Sequence, residues 1–290
     1  MKKLFGALAL VVAAGALTAP VASAAPAAAG DVQTQAAFYS GTIAAGGTQT
    51  WHWNNANPHT TSYVVGLSPK GASTTADCQF EVIKTWYAQQ YGGEREFWWT
   101  IKNVGGIACA TDINLYGLPK TASWSSGGID SNGYKTFHWN NANPANATYV
   151  VGFAPNGATN SAACQFETTR EWYVEQPGGE REFYFTVHNL GSIACTAEVL
   201  LSAKTTNTSF STGYVPSGGS AGKTWNNANP LTAAYVVGFS SVTPNCQFEV
   251  LRSWYAQRIN STGSTEREFR HTIHNGGPVG CAATEYLATA

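Results

Sequence analysis

Apolar and polar side chains alternate along most of this chain, and Gly, Asn and Pro interrupt the alternation about every ten residues. Side chains on a strand point to opposite faces in turn, so each alternating run predicts a strand with one buried face. In Cys78–Tyr87, this period places Cys78, Phe80, Val82 and Trp86 on a core face, with Gln79, Glu81, Ile83, Thr85 and Tyr87 opposite. In the next run Phe97, Trp99 and Ile101 share a face, opposite Glu96, Trp98, Thr100 and Lys102. The connection Gln89–Gly93 is short enough to make these two strands hairpin neighbours, with one outer surface of Gln, Glu, Tyr, Trp, Thr and Lys. Lys84 and Arg95 carry core parity, which predicts a bulge or an edge position nearby. The segment Phe97–Cys109, FWWTIKNVGGIAC, reads as a strand, an Asn-Gly turn region and a second strand.

The runs recur. Trp53, Trp139 and Trp225 head three copies of Trp-Asn-Asn-Ala-Asn-Pro at an interval of 86, and Cys109, Cys195 and Cys281 keep the same interval. Tyr63–Gly66, Cys78–Glu81 and Glu94–Phe97 each return twice in the same order. Internal repetition of this kind marks tandem structural units. The reading is a signal peptide at 1–24, an Ala-rich segment at 25–36, and repeats at 37–118, 122–203 and 208–290. Linkers such as Leu118–Thr121 are short, so the repeats are expected to abut. From Gly66 to Cys78 is 12 residues but from Gly238 to Cys246 is 8, whereas Gln89 to Glu94 is 5 and Gln257 to Glu266 is 9. Surface loops absorb such changes, which marks Leu67–Asp77 and Gln89–Gly93 as loops.

Met1-Lys2-Lys3, the Ala-rich apolar run Leu4–Leu17 and the ending Ala22-Ser23-Ala24 have the layout of a secretory signal of bacterial type. The run is shorter than the roughly 20 residues a bilayer span needs, and no second apolar stretch supplies a membrane anchor. In an exported chain six cysteines, two per repeat, predict Cys78–Cys109, Cys164–Cys195 and Cys246–Cys281. Each bridge is worth about 3–4 kcal/mol in the chain-entropy account. Short strands, frequent turns and one bridge per unit predict an all-β fold of three tandem antiparallel β-sandwich modules, immunoglobulin-like in outline.

The outer sheet face holds the first candidate site: Tyr87, Glu96 and Trp98, with Tyr173, Glu182 and Tyr184 in the second copy and Tyr255, Glu268 and Arg270 in the third. Its acids recur while its other positions vary, as a surface for related ligands would; a solvated face or one packed on the next repeat is the plain alternative. The hexapeptide supplies a second candidate: Trp53, Asn54 and Asn55, Trp139, Asn140 and Asn141, and Trp225, Asn226 and Asn227. Asn and Pro also serve local backbone turns, so a strand-to-loop corner with the Trp covering the core end is the competing reading.

Composition narrows the chemistry. Glu94 and Glu96 stand at a spacing compatible with the roughly 5–9.5 Å of glycosidase carboxylates, but any polar strand produces it, and Arg95 between them suits a structural ion pair. No nucleophile elbow, metal-binding helix or phosphate loop occurs, and no histidine recurs in all three copies. No catalytic residue, metal ligand or cofactor is therefore expected. Sixteen basic against 17 acidic residues lack the footprint of nucleic-acid binding. Only 11% of residues are charged, and plentiful aromatics and amides suit sugars, whose C–H patches meet rings and whose hydroxyls meet amides and carboxylates. The expectation is a secreted, non-enzymatic, multivalent, lectin-like protein for carbohydrate or a cell-surface polymer. The alternative is an extracellular structural or assembly protein whose repeats stack or dock other secreted subunits.

Overall fold

The computed structural model describes residues 33–54, 56–140, 142–226 and 228–290. The expected signal peptide and most of the Ala-rich segment lie outside them, as do Asn55, Asn141 and Asn227. Among the described residues every regular element is a strand. The first repeat gives β1 (Gln33–Tyr39), β2 (Thr48–Trp53), β3 (Thr61–Lys70), β4 (Cys78–Gln89), β5 (Arg95–Asn103) and β6 (Ala110–Pro119). The second gives β7 (Ala122–Ser125), β8 (Tyr134–Trp139), β9 (Ala147–Asn156), β10 (Cys164–Glu175), β11 (Arg181–Asn189) and β12 (Thr196–Thr205). The third gives β13 (Thr208–Val215), β14 (Ser220–Asn226), β15 (Tyr235–Ser240), β16 (Gln247–Ile259), β17 (Thr265–Asn275) and β18 (Cys281–Thr289).

Each repeat places three strands in a small antiparallel sheet of its own: β1-β6-β3, β7-β12-β9 and β13-β18-β15. Its other three join one nine-stranded sheet common to the whole chain. The long strands weld that sheet. The end of β4 (Tyr87–Gln89) pairs with the start of β10, the end of β10 (Trp172–Val174) with the start of β16, and the end of β16 (Trp254–Gln257) with the start of β4. The set closes on itself with pseudo-threefold symmetry. The repeats therefore do more than abut: hydrogen bonds run unbroken from one to the next. Among the described residues, mid-strand stretches 82–86, 167–171 and 250–253 have no cross-repeat pairing, which leaves a three-sided opening in the sheet.

Within a repeat the two layers close on one core. Leu67, Ile113 and Leu115 of the small sheet meet Phe80, Phe97, Trp99 and Ile101 of the large one, all at 0–1% exposure. The three disulfides form as spacing predicts, Cys78–Cys109, Cys164–Cys195 and Cys246–Cys281, each tying the two layers together. Their presence fits an oxidising environment. Buried Asn103, Asn189 and Asn275 pin the loops beyond. Asn189 donates to the carbonyls of Ile129 (2.9 Å) and Ile193 (2.8 Å) and accepts from the Gly191 amide (2.9 Å). Gly191 is required there, since a Cβ would stand 2.9 Å from the carbonyl oxygen of Ala163.

Two sequence expectations need correction. Register slips between Val82 and Lys84, Thr168 and Arg170, and Val250 and Arg252, so Ile83, Thr169 and Leu251 are bulged residues. One extra residue turns the rest of the strand over. Lys84 and Trp86 then face outward, and Tyr87 goes into the core at 3% exposure, with Tyr173 at 6% and Tyr255 at 4%. The parity conflict at Lys84 announced this bulge, but uninterrupted alternation put Trp86 inside and Tyr87 outside. Second, Leu67–Lys70 is strand, not loop, and is paired through Lys70 opposite Ala110. The shortening in repeat three falls on the strand's end as well as on the loop, because β15 stops at Ser240 opposite Thr284.

Candidate functional site

The outward turn after each bulge assembles a track of side chains across the large sheet. In repeat one, His52 of β2 stacks on Trp98 of β5 (ring centres 4.4 Å apart), Trp98 stacks on Trp86 of β4 (5.5 Å), and the Lys84 ammonium lies 5.5 Å from the Trp86 ring. Repeat two reproduces the track with His138, Tyr184, Trp172 and Arg170, at 5.3, 5.2 and 4.6 Å. Repeat three runs Thr224, Arg270, Trp254 and Arg252, the last 4.9 Å from the indole. Register explains the order: His52 stands opposite Trp98, and Trp98 opposite Trp86, and facing neighbours on one side of a sheet touch. Trp86, Trp98, Trp172, Tyr184, Trp254 and Arg270 are all half-buried, and their partners within the track belong to their own repeat.

The carboxylates predicted beside them anchor the variable position. Glu96 accepts from the Trp98 indole N–H (2.9 Å) and from Gln90 (2.7 Å). Glu182 accepts from the Tyr184 hydroxyl (2.6 Å) and from Gln176. Glu268 accepts from Arg270 (2.6 Å) and Arg258 (2.9 Å). Indole, phenol and guanidinium differ in size and charge, but each donates a hydrogen bond to the same acid, which is why copies so unlike fill one place. Burial raises the Tyr184 hydroxyl to about 12, and its bond to the Glu182 carboxylate adds to the rise. Arg270 also reaches Asp77 of repeat one at 3.1 Å.

The cations at the inner end of each track cross to the next repeat. Lys84 pairs with Glu167 (3.3 Å), Arg170 with Glu249 (2.5 Å), and Arg252 with Glu81 (2.7 Å). Three ion pairs thus ring the pseudo-threefold axis. Sequence reading missed this ring and the three tryptophans 86, 172 and 254. The available signal was the basic residue at 84, 170 and 252 in the wrong parity, repeated in every copy.

Tyr87, Tyr173 and Tyr255 stand apart from the face. They lie below the sheet, where their hydroxyls accept from the amides of Tyr63 (2.9 Å), Tyr149 (3.4 Å) and Tyr235 (3.2 Å). The hexapeptide sits elsewhere as well. Trp53, Trp139 and Trp225 pack against Phe38, Trp124 and Phe210, with ring centres 6.2–6.4 Å apart. Asn54, Asn140 and Asn226 are exposed at the strand's end. The turn itself is held by Asn57, whose carbonyl accepts from the Thr60 and Thr61 amides and whose N–H donates to the Tyr63 hydroxyl at 2.8 Å. A backbone corner accounts for this arrangement, with the Trp sealing the core beneath it.

A separate cleft of about 490 Å³ between repeats one and two is lined by His59, Arg95, Trp124 and Glu198. There the hydrogen bond with His59 holds the Glu198 carboxyl down at about 2, with Ser123 and Lys120 contributing. Among the described residues no cluster of three or more His, Cys, Asp or Glu side chains could hold a metal ion. Compared with known proteins, the chain matches no family model, and no curated protein matches it significantly.

Proposed function

We propose that this chain is an exported, non-enzymatic, trivalent binding protein for carbohydrate or a related cell-surface polymer. It would consist of three immunoglobulin-like sandwich modules fused through one sheet. The pairings 2-5-4 and 6-3 within each repeat support that outline, because they match the immunoglobulin B-E-D and F-C pairings, with the first strand flanking the sixth. The observation that carries the function is the track: one half-exposed row of tryptophan, hydrogen-bond donor and cation, built three times on one face around one axis. The Trp98 indole N–H and the Tyr184 hydroxyl are already given to Glu96 and Glu182, and stacking leaves mainly ring edges to solvent. Recognition would therefore run through sugar C–H contacts to those edges and hydrogen bonds with the exposed imidazoles of His52 and His138 at the track ends. Three weak sites at fixed spacing on one polymer raise avidity by about 10²–10⁴.

The test is retention of the mature protein on insoluble polysaccharides, cellulose, chitin and peptidoglycan, alongside a glycan array. Trp86→Ala and Trp98→Ala are each expected to weaken retention, and Trp86→Ala with Trp172→Ala and Trp254→Ala to abolish it. Wild-type protein that passes every matrix unretained and gives no array signal overturns the reading.

A further inference from the structure

Behind the three-sided opening lies a cavity of about 380 Å³ on the pseudo-threefold axis. All three repeats wall it. Val82 and Thr85 come from β4, Thr168, Thr169 and Glu171 from β10, and Val250 and Ser253 from β16; Tyr63, Tyr149 and Tyr235 with their following valines close the far side. The size falls in the range of small-molecule sites, about 300–1,000 Å³. Backbone edges of 82–86, 167–171 and 250–253 turn toward the opening without a strand partner, and backbone polar groups left in that state demand water or a ligand.

The symmetry is broken at one atom group. Thr85, Glu171 and Ser253 are equivalent positions, so two small hydroxyls face the axis and one carboxylate does. Glu171 lines the cavity and keeps exposed surface, and the protein packed around it raises its carboxyl to about 7 by desolvation. Among the described residues no cation forms an ion pair with it. Arg170, its neighbour, also borders the cavity, but its guanidinium is held by both oxygens of Glu249, at 2.5 and 3.1 Å. An uncompensated carboxylate in a partly desolvated site is costly, and a hydroxyl at this place satisfies the other two repeats.

We propose that the axial cavity binds a small organic monocation, an amine, with Glu171 as its counter-ion, Thr85 and Ser253 as hydroxyl partners, and the valines and tyrosine rings around its body. One acid fits one positive charge, and the aromatic walls favour an ammonium over an anion. The site is independent of the outer tracks, since Glu171 and Trp172 face opposite sides of β10.

The probe is benzylamine, with benzyl alcohol and benzoate as neutral and anionic matches of similar size, titrated into the full mature chain and followed through the methyl resonances of Val82, Thr168 and Val250. Benzylamine should bind about tenfold or more tightly than benzyl alcohol, as a charge-assisted hydrogen bond requires. Glu171→Gln and Glu171→Thr, the latter restoring the residue of repeat one, should remove that preference while leaving the fold intact. The preference should also fade as pH falls from 8 to about 5, because Glu171 takes a proton in this range and the other lining groups that ionise are tyrosines, which stay neutral, and Arg170, which stays charged. Equal binding of amine and alcohol, no amine binding at all, or an amine preference that survives Glu171→Gln overturns the proposal.

Discussion

His271 and Glu285 show how far one repeat can depart from the others without changing its shape. They occupy the places of Trp99 and Ile113 in repeat one and of Phe185 and Val199 in repeat two, all in the core. Both are fully buried and paired through His271 Nε2 and Glu285 Oε1, while among the described residues His271 Nδ1 and Glu285 Oε2 have no hydrogen-bond partner. A buried pair of this kind gains little over well-packed apolar residues, yet losing one partner strands the other. His271→Phe alone or Glu285→Val alone should lower the unfolding free energy by about 3–5 kcal/mol. The double variant, which copies repeat two, should equal or exceed wild type by up to about 4 kcal/mol. Urea unfolding of all four proteins closes the cycle, and additive losses in the double variant would contradict this account. None of this was legible beforehand: histidine and glutamate in alternating strands read as ordinary polar positions, and only the layer facing them shows that each occupies an apolar site.

At the scale of the element, the bulge decides which side chains are available for function. Period-two alternation placed Phe97, Trp99 and Ile101 inside and Trp98 outside, and hydrogen bonding agrees, because β5 runs without a slip. It failed on β4 beyond Val82, where one inserted residue reverses every later side chain. A bulge leaves only a parity conflict in the sequence, here Lys84 among apolar neighbours, and does not say which residue is extra. Removing Thr169 should therefore be far more harmful than changing it. The deletion would drive Trp172 and Arg170 under the sheet and expel Tyr173, whose hydroxyl holds the Tyr149 amide, and the loss should exceed about 4–5 kcal/mol and prevent folding. Thr169→Ala, at an exposed site, should stay within about 0.5 kcal/mol. Near-ultraviolet circular dichroism and urea melts distinguish the two. A folded deletion variant would mean that pairing can slip at no cost.

The whole molecule is built as a closed ring of three unequal links, and this architecture had only its repeat interval in the sequence. Pairing between repeats uses three or four residues at each strand end, too few to show as a pattern. The links nevertheless left a trace. Gln257 accepts from the amides of Gly71 and Ala72 in repeat one, and Gln89 from those of Gly157 and Ala158 in repeat two. The third link would set residue 175 against the corresponding loop of repeat three, but that loop is four residues shorter, and residue 175 is Glu, paired with Arg181 at 2.9 Å. Loss of the loop and change of its partner go together.

Repeat one keeps both halves of every link: Gln89 with the Gly71-Ala72 loop, Lys84 with Glu81, and the two complementary ends of β4. A surface whose two halves match each other across a threefold rotation closes into a ring of three copies. Residues 33–120 alone should therefore sediment as a trimer. Repeat three alone, 208–290, has Gln257 but lacks the full loop, and should associate more weakly. Lys84→Glu in the first fragment would set like charges at each junction and should shift it toward monomer, with recovery on adding Glu81→Lys. A well-folded fragment 33–120 that stays monomeric would show that the links are consequences of tethering, and that the ring is held together by the chain and not by its contacts.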